Sequence, residues 1–218
     1  MTRLARRCLQ WTTLFGAAAV LTQAEVAAAA TQTIRGTGMV VEDPLPGINP
    51  SKRRVLVKAY EKLSPDSIVG DPIANGATLQ VVVNGATSTT QTFTLPAGPP
   101  PISIGPGWVG KSIPGSAAKY VYIDKNGEAT PVVKLGVSYR AGRSFVLKAL
   151  VDAQGNNGPV DAVPGNPTTD LGVVFTIVGG DSYCVLFGGA AGGIFGVNSD
   201  EIVKVAKPTG EGCPVPAP

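Results

Sequence analysis

The chain contains no histidine. That single absence removes the commonest general base and the commonest metal ligand. It excludes Ser–His–Asp and Cys–His nucleophilic catalysis outright. Cysteine is scarce, at three residues, so a closed structural zinc site lacks its ligands. Charged residues are only 15% of the chain against 44% apolar, and no segment after residue 30 repeats its apolar residues at helical spacing, so neither wholesale disorder nor a mainly helical fold is expected. No internal repeat points to a solenoid or propeller.

What is plentiful is glycine, 28 of 218 residues, and proline, 19, without a G-X-Y period. With 44% apolar residues, enough to form a core, and many Val and Thr, this is the balance of short strands joined by many turns. The net charge of +3 sits at the N-terminus. Residues 1–30 hold Arg3, Arg6, Arg7 and Glu25, and the remainder has fifteen basic and fourteen acidic residues. No nucleic-acid footprint is expected from a balance so even. The cluster Lys52, Arg53 and Arg54 reads as a solvated strand edge.

Residues 1–30 read as a secretory signal peptide, with an uncleaved anchoring helix as the alternative. Three arginines precede the apolar stretch Trp11 to Leu21, which is too short to span a bilayer. Ala28 and Ala30 then give an A-x-A pattern that places cleavage between Ala30 and Thr31, although the run Ala27 to Ala30 and the earlier Ala24 leave the register open. A secreted, periplasmic or outer-surface location follows, with no transmembrane anchor once the signal is gone. Cys8 leaves with the leader. Cys184 and Cys213 remain as an even pair in an oxidising compartment and are expected to form a disulfide. Closing about thirty residues stabilises a fold by roughly 3–4 kcal/mol in the chain-entropy model.

Residues 31–37 read as a flexible leader and 38–218 as one domain. Strands are expected at 38–43, 53–62, 78–84, 89–95, 119–124, 131–137, 144–151, 171–178, 181–187 and near 201–206. Tight turns at Gly85, Asn126–Gly127 and Gly179–Gly180 mark three hairpins. Residues 64–77, 96–118 and 154–170 read as irregular segments. Eight to ten such strands imply an all-β antiparallel β-sandwich, with a barrel as the alternative.

The run LGVVFTIVGGDSYCVLFGG followed by GCPVPAP resembles the C-terminal part of a set of secreted proteins of unknown function from myxobacteria and related deltaproteobacteria. The matching residues are Tyr183, Cys184, Phe187, Gly188, Gly189, Cys213 and Pro214. SKRRVLVKAYEK, TFTLPAG and AAKYVYIDKNG resemble further segments of that family, with Val121 to Ile123 departing from its Lys-Tyr pattern. The resemblance covers residues 38–216. It implies an exported β domain and no particular activity.

Little chemistry remains. Glu42–Asp43 and Asp200–Glu201 are sequence neighbours, so on a strand each pair points to opposite faces. A carboxylate-based hydrolase is therefore a remote alternative. Asp124 to Glu128 begins like a calcium loop, but its twelfth position is Leu135, and a hairpin turn fits better. GGAAGG, residues 188–193, lacks the Lys-Ser/Thr and helix of a phosphate cradle. No cofactor and no catalytic residue is expected. Two functions stand: an exported, non-catalytic structural or envelope module, or a module binding a glycan or an envelope protein. For the second, the candidate stacking rings are Trp108, Tyr120, Tyr122 and Tyr139.

Overall fold

The computed structural model describes residues 29–102, 105–153 and 158–217. Residues 1–28, with Cys8 and most of the expected signal peptide, lie outside the described residues. Among the described residues thirteen strands alternate with turns. They are β1 (Thr31–Thr33), β2 (Gly36–Glu42), β3 (Arg54–Lys62), β4 (Ala77–Gly85), β5 (Thr89–Leu95), β6 (Gly107–Ile113), β7 (Ala117–Ile123), β8 (Val132–Arg140), β9 (Ser144–Asp152), β10 (Thr168–Ile177), β11 (Ser182–Gly188), β12 (Ile194–Asn198) and β13 (Ile202–Ala206). One short helix, α1 (Pro72–Asn75), starts on the Asp71 side chain, which accepts from the Ile73 N–H.

The strands form a five-stranded sheet, β1-β11-β10-β4-β5, and an eight-stranded sheet, β12-β13-β2-β3-β9-β8-β7-β6. All pairings are antiparallel except β1 with β11. The architecture is the all-β sandwich expected, and it does not close into a barrel. The core lies between the sheets because alternation sends every second side chain there. Leu171, Val173, Phe175 and Ile177 of β10 are fully buried, as are Leu79, Val81 and Val83 of β4. Across the layer, Phe145 of β9 stacks on Tyr183 of β11 at 5.1 Å, and Trp108 of β6 meets Phe175 at 6.2 Å.

Several expectations are met in register. β4 and β5 form the first hairpin, β7 and β8 the second, and β10 and β11 the third, with Thr176 opposite Ser182 across Gly179–Gly180. Cys184 and Cys213 are bonded, with Cα atoms 4.8 Å apart, tying the C-terminal segment to β11.

Three expectations are corrected. Residues 31–37 are not a loose leader: Thr31 to Thr33 add a parallel strand to β11, Ile34 is fully buried, and β2 begins at Gly36. The polar TQT escapes pattern reading because its stability comes from β11's hydrogen bonds, not from its own side chains. The segment 96–118 is not irregular throughout, since β6 runs from Gly107 to Ile113. Arg54 does not open an edge strand: β3 lies between β2 and β9, Lys52 sits in a 3-10 turn, and Arg53 pairs with the buried Asp43 at 3.1 Å.

Candidate functional site

The four aromatic candidates all point into the core. Trp108 and Tyr122 are 0% exposed, Tyr120 4% and Tyr139 7%. Strand alternation explains this, because Trp108, Tyr120, Tyr122 and Tyr139 share the inward parity of the large sheet. Trp108 and Tyr122 pack against each other at 5.3 Å, and Trp108 Nε1 and the Tyr122 hydroxyl are buried without a hydrogen-bond partner. Burial, aided by the Asp124 charge, holds the Tyr122 hydroxyl well above the usual tyrosine range. Rings so enclosed cannot stack on a ligand, so the stacking-platform expectation is corrected.

The Asp124 turn is a hairpin device. Asp124 is fully buried, and its carboxylate accepts from the backbone N–H groups of Glu128, Ala129 and Thr130 at 2.9, 2.9 and 3.2 Å. Those three bonds commit most of the carboxylate's acceptor capacity to its own loop. Among the described residues, no group of three His, Cys, Asp or Glu side chains is arranged to hold a metal ion.

Topology brings Glu211, near the C-terminus, to two acids that are close in sequence: Glu61 at the end of β3 and Asp66 in the following loop. Burial, then Glu211, then Asp66 push the Glu61 carboxyl upward. Glu61 Oε2 is sealed from solvent and unpartnered, and Arg35 binds Glu211 at 3.4 Å. An oxygen so enclosed cannot meet a substrate.

The outer face of the eight-stranded sheet is different. Its outward side chains form rows running across the strands. One row holds Lys111, Lys119, Ser138, Val146 and Tyr60. The next holds Val109, Val121, Gly136, Lys148 and Lys58. A third holds Ile123, Lys134, Leu150, Leu56, Val40 and Lys204. On the other side of the first row lie Ile113, Ala117, Arg140, Ser144 and Lys62. Eight cations and no carboxylate occupy these four rows, and Glu42 and Asp152 come only in the row beyond, beside Arg54. More than half of the fifteen basic residues after residue 30 therefore share one face.

Two of the pairs are like charges in direct register: Lys58 opposite Lys148, and Lys111 opposite Lys119. All four lysines are exposed. Directly opposed like charges oppose strand pairing. Beside the Lys111–Lys119 pair, on the side away from Lys148, lies a shallow depression of about 500 Å³ whose lining includes Lys111, Lys119, Ser138, Arg140 and Val146. A smaller hollow beside it reaches Val121, Gly136 and Lys148. Gly136 creates that hollow, since a Cβ there would meet nothing within 4 Å.

Sequence reading missed this face. The eight cations stand one or two to a strand on six strands, and only the order β13-β2-β3-β9-β8-β7-β6 aligns them. Among the described residues no helix is long and apolar enough to cross a membrane. No protein-family model matches the chain, and neither a curated protein nor a solved structure is found that matches it.

Proposed function

We propose that this protein is an exported, non-catalytic surface or envelope module that holds an acidic polysaccharide against the outer face of its large sheet. The observation that carries the reading is the carboxylate-free cationic field, with its two lysine–lysine pairs set strand against strand. Such pairs work against folding, and a polyanion laid across the rows would neutralise both. Three features support this ligand class. The rows stay on one rigid sheet, matching an extended polymer. Trp108, Tyr120, Tyr122 and Tyr139 are buried, and the half-exposed Tyr60 is the one ring these rows carry, which leaves no run of rings for neutral sugars or single-stranded nucleic acid to stack on. The leader and the bonded cysteine pair support a place outside the cytoplasm, where acidic glycans are met. The missing histidine and the enclosed carboxylates support a binding role without turnover.

The test is retention of the purified protein on immobilised polygalacturonate at low salt, with dextran and double-stranded DNA as parallel matrices. Retention on polygalacturonate alone, lost in the triple variant Lys111→Gln, Lys119→Gln, Lys148→Gln, is the expected result. No retention, preferential retention on DNA, or retention unchanged in the triple variant would overturn the reading.

A further inference from the structure

Asp181 is 3% exposed, in the turn that leads into β11. Its Oδ1 accepts from the backbone nitrogen of Ala30 at 2.8 Å, and its Oδ2 accepts from the Gln32 side-chain amide. Among the described residues no lysine or arginine forms an ion pair with it. A buried carboxylate with only neutral donors is costly, and an ammonium in place of one donor would compensate it. The nitrogen already in position is that of Ala30.

We infer that the mature chain begins at Ala30, and that Asp181 is the built-in receptor for its new α-ammonium group. The inference rests on the export reading above and fixes its register. Hydrolysis of the Ala29–Ala30 peptide bond adds one water: the carbonyl of Ala29 leaves with the leader as a carboxylate, and the nitrogen of Ala30 becomes the ammonium. Ala27 and Ala29 then occupy the two small-residue positions before the cut, as well as Ala28 and Ala30 do one residue later. The neighbouring hydrogen bonds separate the two registers. The Ala30 carbonyl accepts from the Ser182 N–H at 2.9 Å, continuing the parallel ladder of β1 with β11. Cleavage after Ala30 would strip Asp181 of a donor and Ser182 of its acceptor together. Cleavage after Ala29 keeps both bonds and turns the first into an ion pair. Retention of Ala29 keeps both bonds but leaves Asp181 without a cation.

The full 218-residue chain, expressed with its own leader, should be recovered and its N-terminus read by intact mass and terminal sequencing. Ala30 as first residue is the expected result. Thr31 as first residue would overturn the role of Asp181 while leaving export standing, and a chain still carrying its leader would overturn both. The second readout separates an ion pair from a plain hydrogen bond. In the chain starting at Ala30, Asp181→Asn should lower the melting temperature by roughly 4–8 °C more than in a chain retaining Ala29. Equal losses would overturn the ion pair. If Asp181→Asn does not accumulate, one glycine inserted before Ala30 should lower the melting temperature with Asp181 intact, because it makes that nitrogen a neutral amide. An unchanged melting temperature would overturn the assignment.

Discussion

Glu61 is the residue whose environment works most clearly against its charge. Burial and the neighbouring Glu211 and Asp66 raise its carboxyl above the ordinary 4.5, while the Ser64 hydroxyl opposes them. The folded protein therefore holds this proton more tightly than the unfolded chain. The resulting penalty is absent below the ordinary value and grows as pH rises through 4.5 toward the folded value. Glu61→Gln should accordingly raise the melting temperature at neutral pH and give no gain near pH ~4, as paired thermal melts would show. Trp108 answers to volume instead of charge. Fully buried between Tyr122 and Phe175, it should cost about 3–5 kcal/mol on truncation to alanine, measured by urea unfolding. The tyrosines on the strand beside Trp108 also show what single residues reveal beforehand. The alternation in AAKYVYI is plain, but tyrosine serves an inner face or a wet one equally well. Which parity faced inward was settled by the opposing sheet, through partners such as Phe175.

At the scale of elements, the clear predictions concern β8 and the C-terminal segment. Gly136 lies at an open place on the outward face, with no positive φ and nothing for a Cβ to strike. Gly136→Val should keep or slightly raise stability, since a branched residue suits a strand. It should also weaken retention on polygalacturonate by filling the hollow beside Lys148. A variant that lost stability and binding together would count against this. The Cys184–Cys213 bond closes 29 residues of sequence separation. Cys184→Ser with Cys213→Ser should cost about 3–4 kcal/mol in the chain-entropy view, again read from urea midpoints. The hairpins around Gly85, Asn126–Gly127 and Gly179–Gly180 were legible because each joins strands by local turn chemistry. β6 and β12 were not. GWVGKSI and IFGVN carry glycines within a strand, and each is an edge strand held by one neighbour, β7 or β13. Their order comes from that neighbour's hydrogen bonds and leaves no strong pattern in their own side chains.

For the whole molecule, the two-layer class was readable from composition and alternation, whereas the charged face was not, because strand order is a property of long-range pairing. A field spread over four rows gives a prediction that no single lysine does. Retention on polygalacturonate should fall steadily as salt rises from ~50 to ~300 mM, because screening shortens the reach of exposed charges. A salt-independent interaction would point to a different ligand chemistry. The same long-range pairing dictates timing. β1 finds its partner only in β11, and Ile34 donates to the carbonyl of Cys184. A polypeptide that emerges N-terminus first must therefore hold its opening strand in waiting until nearly all of its length is available. Such distant closure makes for slow folding, and under the export proposed above it keeps this strand unpaired for threading until β11 has emerged.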